Sequence, residues 1–208
     1  MPDFALEKRC SGIVCGIDEA GRGPLAGPVV AAAVILDRRR LSRSLRDGLD
    51  DSKKLLPAAR EEFFVILRRS AVAIGVGAAS AAEIDRINIL RATLAAMGRA
   101  VAALRLTPAI ALVDGNVPPS LPCPVETVVG GDGLSLSIAA ASVIAKVTRD
   151  RLMRKLAERY EGYGWTTNVG YATDEHRAAL LALGPTPHHR KSFAPLQLGF
   201  DFDCAGTL

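Results

Sequence analysis

No apolar run in the 208 residues approaches the ~20 positions a membrane span requires. Near the start, Asp3, Glu7, Lys8 and Arg9 interrupt any secretory leader core. Four cysteines, Cys10, Cys15, Cys123 and Cys204, form no CxxC pair and no zinc-type spacing, so a reduced, cytoplasmic setting is expected. The three histidines lack HExxH spacing, and no serine or cysteine sits in a triad context, so a covalent nucleophile is not expected. Lysine is scarce too, supplying six of 26 basic residues. The arginine excess reflects either gene base composition or recognition of phosphate by planar guanidinium groups.

What is present is a core. At 49% hydrophobic and 23% charged, the chain reads as one globular domain, or one with a small appendage. A chain of this size buries roughly 70% of its unfolded surface and needs no disulfide or metal for stability, so a metal here would be functional. The net charge of +4 and pI near 9.0 permit an anionic partner without demanding one.

Apolar runs at 13–17, 29–36, 72–78, 110–113 and 125–129 predict five strands. Helical spacing predicts helices over 57–69, 81–87, 89–104 and 137–159, the last alanine-rich at its start and charged at its end. The charged stretch around Asp47, Asp50, Asp51, Lys53 and Lys54 reads as loop. Early strands are consecutive and later ones alternate with helices, which predicts an α/β fold with a mixed five-stranded sheet covered on both faces. Composition changes after Tyr160, predicting a main domain over 1–160 and a small helical extension over 161–208.

Four acids stand where apolar runs stop: Asp18 with Glu19, Asp114, and Asp132. Ligands bind at the carboxyl ends of strands in open sheets, so these acids are predicted to converge. Clustered carboxylates repel unless hard divalent cations such as Mg²⁺ or Mn²⁺ accept their oxygens, and two such ions suit phosphodiester hydrolysis. Taken singly, each acid reads as an ordinary turn residue or helix N-cap, as Asp132 ahead of Leu134 illustrates. The contexts IDEAGRG and LVDGN favour the site, because an acid pair followed by Gly-Arg-Gly has no evident packing role. Gly21, Arg22 and Gly23 form a tight loop that lacks the Lys-Ser/Thr of a P-loop, and Ala26 replaces the third glycine of a dinucleotide fingerprint.

The segments GIDEAGRGPLAGPVVAAAVIL, DSKKL, NILRATLAAM, LVDGN, GGD, SIAAASVIAKVTRDRLM, GYATDEH and HHRKSFAP together resemble the prokaryotic ribonuclease HII family, in family order, from about Gly12 to Pro195. The resemblance implies an RNase H-like fold with a C-terminal helical extension. The implied activity is endonucleolytic cutting of the RNA strand of RNA/DNA hybrids and of single ribonucleotides embedded in duplex DNA, serving primer and ribonucleotide removal. It further implies that Asp18, Glu19, Asp114 and Asp132 hold two Mn²⁺ or Mg²⁺ ions, that Gly21, Arg22 and Gly23 read the ribose 2′-hydroxyl, and that Tyr171 packs on the sugar at the RNA-to-DNA junction. That division suits the physics, since the 2′-hydroxyl is what distinguishes RNA from DNA at a nucleotide. Lys53 and Lys146 lie within family motifs and are expected at phosphates; Lys54, Arg149, Arg190 and Lys191 are further candidates. The small residues over 137–142 either seat a phosphate on a helix N-terminus or allow close packing on the sheet. His176 and Trp165 are expected in structural roles. The chain departs from the family at Gly130 and Val169, where lysine is usual, removing positive charge from the expected nucleic-acid face.

Three rivals remain open at this level: the sister ribonuclease HIII, disfavoured by the dozen or so residues ahead of the first strand and by the GRG loop; a catalytically silent hybrid-binding module; and a nuclease of the same superfold acting on branched DNA. Gln197, Leu198, Phe200 and Phe202 loosely resemble a sliding-clamp-binding peptide. A monomer is the expected state.

Overall fold

Strand β1 (Val14–Ala20) runs through the centre of a five-stranded sheet of order β3-β2-β1-β4-β5. The structure, a computed structural model, describes residues 1–50, 52, 55–194 and 196. Lys53, Lys54 and the segment from Gln197 to Phe202 therefore lie outside the described residues.

β2 (Val29–Ile35) and β3 (Ala73–Ala79) pair antiparallel as a meander beside β1, whereas β4 (Ile110–Asp114) and β5 (Val125–Val128) lie parallel to it on the other side. The two halves have different causes. A short loop joins β1 to β2, and the long connection carrying α2 (Arg43–Gly48) and α3 (Pro57–Ser70) returns the chain antiparallel as β3, whereas β4 and β5 follow crossovers that bring it back in the same direction as β1. Parallel pairing puts the carboxyl ends of β1, β4 and β5 on one edge, and that edge carries the acids.

Helices cover both faces. On one, α6 (Leu136–Arg159) packs on β1 and β2, and α3 (Pro57–Ser70) joins its cluster through Phe64 and Leu67. On the other, α4 (Ala81–Ile87) and α5 (Ile89–Ala102) bury Ile84, Ala92, Ala96 and Ala100 against Ile17, Ala31 and Ala33. Successive strand residues point to opposite faces, which is why β2, covered twice, is an unbroken apolar run.

The contact between α6 and β1 is backbone-close. A Cβ on Gly16 would overlap the Ser137 carbonyl group, so only glycine admits α6 there. The small residues over 137–142 therefore serve close packing. The helix N-terminus is already capped: Glu7 Oε1 accepts from the Ser137 N–H at 2.9 Å and from Ser135 Oγ at 2.7 Å.

The expected strands and long helices are present, with two differences. The sequence puts Asp18 and Glu19 after the first strand, but the β1 ladder continues through them to Ala20, paired with β2. Two short helices, α1 (Ala5–Arg9) and α2 (Arg43–Gly48), are additional; α2 lies in the charged stretch, where a single buried Leu45 and the Ser42 cap give no sequence periodicity. Beyond residue 160, α7 (Trp165–Asn168) and α8 (Asp174–Leu183) build a third cluster with Leu25, Ala26 and Met153. No described helix is long and apolar enough to cross a membrane.

Candidate active site

At the acidic edge a cleft of about 370 Å³ opens between β1, the turn that follows it, α6 and the C-terminal segment. Glu19 and Asp114 line it, with Gly21, Arg22 and Gly23 along one wall and Lys146 and Tyr171 along the others. Residues far apart in sequence thus share one surface because β1 and β4 are parallel neighbours.

Asp18 lies beneath the cleft, 5% exposed. Burial, and then the charges of Glu19 and Asp114, push its carboxyl well above the usual carboxylate range; hydrogen bonds from Ser142 and the Glu19 N–H (2.6 Å) offset this in part. Asp114 ends β4, and its Oδ1 accepts from the Gly131 N–H at 2.7 Å. Asp132 follows Gly131 in a short 3₁₀ turn (Gly131–Gly133) and is 9% exposed. That hydrogen bond, with the one from the Gly115 N–H to the Val128 carbonyl at 3.0 Å, ties the start of the β5–α6 connection to the end of β4.

Arg22 bends back to Glu19, with Nη1 3.3 Å from Oε1. Among the described residues, no three His, Cys, Asp or Glu side chains are gathered as a ready-made metal shell. The donor set nevertheless fits hard divalent cations. It consists of carboxylate oxygens only, and the raised pKa of Asp18 records negative charge that a cation would offset.

Lys146 reaches the cleft from α6 and pairs with Asp150 one turn on, at 2.7 Å. Burial lowers its pKa, partly offset by Asp150. Ser142 Oγ and Ser52 Oγ are hydrogen-bonded at 2.8 Å, tying Ser52 to the helix beside Asp18. The sequence motif contains Ser52, but nothing local signals its partner.

Tyr171 is 44% exposed at the rim, and a Cβ on Gly23 would come within 3.9 Å of its Cε1. A buried polar chain lies behind it. Trp165 Nε1 can only donate, so His176 Nε2 accepts (3.1 Å), and the His176 proton sits on Nδ1, donating to the Tyr171 carbonyl at 2.8 Å. His189 Nδ1 accepts from the Thr186 N–H at 2.9 Å, so its Nε2–H donates to His176 Nε2 at 3.0 Å. Both rings are neutral in this arrangement, and His176 Nε2 is shared between two donors. His176 and Trp165 are structural, as the sequence suggested.

Two further expectations are corrected. Arg149 and Arg190, candidates for phosphate, are 1% and 0% exposed, and their guanidinium groups bond to backbone carbonyls instead. Their place in the charged half of α6 and in HHRKSF resembles solvated surface, so no local signal marked them as internal.

A mixed sheet of this order, flanked by helices, with acids at the shared carboxyl edge of β1 and β4, defines an RNase H-like hydrolase. The sequence model of the family "Ribonuclease HII" matches residues 15–196, and the chain belongs to that family, a group of endoribonucleases. Ribonuclease HII of Paramagnetospirillum magneticum is 63% identical over 196 residues, spanning 94% of this chain and 97% of its own. The ribonuclease HII solved with PCNA from Archaeoglobus fulgidus is 31% identical, with a TM-score of 0.72 over 91% of this chain and 98% of its own. Bst-RNase HIII, solved in complex with Mn²⁺, shares the fold at 19% identity, with a TM-score of 0.73 over 93% of this chain and 71% of its own.

Proposed function

We propose that the cleft hydrolyses the RNA strand of RNA/DNA hybrids and cuts on the 5′ side of single ribonucleotides in duplex DNA, leaving 3′-hydroxyl and 5′-phosphate ends. The observation that carries this reading is the meeting of Asp18, Glu19 and Asp114 with the Gly21–Arg22–Gly23 turn and Tyr171 at one cleft. Primer removal and ribonucleotide removal follow from that substrate class.

Asp18, Glu19, Asp114 and Asp132 would hold two divalent cations, Mg²⁺ or Mn²⁺, which when bound supply water activation and charge stabilisation for the displacement. The protein's own groups position the strand. Gly21, Arg22 and Gly23 approach the ribose closely because their turn carries little side-chain bulk beyond Arg22, whose side chain also orients Glu19. The Tyr171 ring packs against the neighbouring deoxyribose, where a 2′-hydroxyl would not fit. Lys146, whose Nζ is oriented by Asp150, neutralises a phosphate, and Lys53 is read in the same role from its motif. With no side-chain nucleophile, water attacks phosphorus and the 3′-oxygen leaves.

The same reading takes 1–160 as the catalytic domain and 161–208 as an extension that carries the rim tyrosine, in a monomer. Recruitment by a sliding clamp through the segment from Gln197 to Phe202 is supported by the Archaeoglobus complex with PCNA. The test is cleavage of a duplex carrying one ribonucleotide, with Mg²⁺, Mn²⁺ or chelator, for the native chain and Asp114→Asn. A cut 5′ of the ribonucleotide, lost with chelator and with the substitution, is expected. Binding without cutting would instead identify a silent hybrid-binding module, and equal cutting of an all-DNA duplex would remove the ribonuclease reading.

A further inference from the structure

The turn after β1 rests on two buried guanidinium groups. Arg190 donates from Nη2 to the carbonyls of Gly21 (2.6 Å) and Gly27 (2.9 Å), from Nη1 to Arg22 (2.8 Å) and from Nε to Gly27 (3.0 Å). Arg149 donates from Nε to Pro28, from Nη2 to Ala26 and from Nη1 to Val169, each at 3.0 Å. Every one of these hydrogen bonds ends on a backbone carbonyl. Burying a guanidinium is costly unless its donors are met, so these two groups are stable inside only while the turn keeps its shape.

Peptide geometry turns that constraint into a direction. In a planar trans peptide the C=O and the next N–H point opposite ways. Carbonyls of Gly21 and Arg22 drawn inward to Arg190 therefore turn the N–H groups of Arg22 and Gly23 outward, on the side of the cleft these residues line. Arg149 lies directly under Gly21, where a Cβ would overlap its guanidinium stem and where φ is +95°. Its bond to Val169 reaches the segment carrying Tyr171, and Leu25 N–H donates to Gly170 at 2.8 Å from the turn side. Turn and tyrosine are thereby one rigid unit.

We propose that Arg190 and Arg149 are positioning residues for sugar discrimination: they aim the Arg22 and Gly23 N–H groups at the 2′-hydroxyl and hold them at a fixed distance from Tyr171. The proposal rests on the ribonucleotide reading of the cleft. Lysine at either position keeps the charge but loses the planar fork, so it cannot span several carbonyls.

The experiment compares affinities for a duplex with one ribonucleotide and for the same duplex in DNA alone, in Asp114→Asn protein with and without Arg190→Lys or Arg149→Lys. Thermal unfolding of each variant is followed alongside. The expected result is that the ribo-to-deoxy affinity ratio falls about tenfold in folded lysine variants, while all-DNA affinity stays within about twofold. An unchanged ratio in a folded variant overturns the proposal. Amide exchange at Leu25, Ala26 and Gly27 in the native chain, whose N–H groups bond to the Gly170 and His188 carbonyls, provides a second readout that needs no variant: protection matching that of α6 is expected, and exchange at loop rates overturns the positioning role. If the native chain shows no ribonucleotide preference, the reading of the cleft falls on its own, and the exchange result still decides whether the arginines hold the turn.

Discussion

His176 and His189 meet through their Nε2 atoms at 3.0 Å, both neutral, with one ring donating and the other accepting. A proton added to His189 would sit on Nδ1, facing the Thr186 N–H and the Thr186 hydroxyl, each at 2.9 Å; one added to His176 would sit on Nε2, facing two donors.

Stability therefore falls in acid. Burial, then the charge of His176, pushes His189 down to about 4, and His176 is lowered by burial as well. A depressed folded-state pKa means the contribution is complete above the unfolded value near 6.5 and is lost as pH drops towards 4, with about 3 kcal/mol at stake for His189. Urea unfolding at pH 7, 5.5 and 4.5 should show this fall, and His189→Gln should flatten it from a lower starting stability. An equal fall in the variant would exclude the histidine pair as its source.

Asp18 works in the opposite sense. Its raised pKa means that stability is complete below the ordinary carboxylate range and is lost as pH rises through the folded value. In chelator at pH 8, Asp18→Asn should unfold at a higher temperature than the native chain, each kcal/mol relieved being worth about 2–4 °C. That advantage should vanish at pH 3.5. Added Mn²⁺ should raise the melting temperature of the native chain more than that of the variant.

Val169 occupies the left-handed region at φ +43°, which a β-branched residue rarely adopts, with its carbonyl held by Arg149. Val169→Lys removes the branch and adds a positive charge. Affinity for duplex DNA should rise at low salt, and the slope of log affinity against log salt should steepen by about one unit. An unchanged slope would place position 169 outside the nucleic-acid face.

Gly16→Ala should cost about 3 kcal/mol or more, because the added methyl meets the Ser137 backbone rather than a side chain that could move. Chemical unfolding measures this directly. A loss under ~1 kcal/mol would mean that α6 can slide on the sheet.

Much of this molecule is legible in the order of its residues. The apolar runs announce the strands, most plainly β2, whose burial on two faces requires continuous hydrophobicity, and the acids stand out because they end such runs. Asp18, Glu19 and Asp114 could be grouped in advance because the carboxyl ends of parallel strands share an edge. Short α2 could not, since six residues with one buried leucine leave no period to detect.

The supports beneath the site are another matter. Arg190 finds Gly21 across 169 positions, Glu7 finds the start of α6 across 130, and His176 finds His189 only after α8 has folded back. Strand and helix patterning is a local, periodic property, so it is written in the chain. The partner of a buried polar atom depends on which distant backbone groups lack a hydrogen bond once the layers have packed, and that is known only when every element is in place.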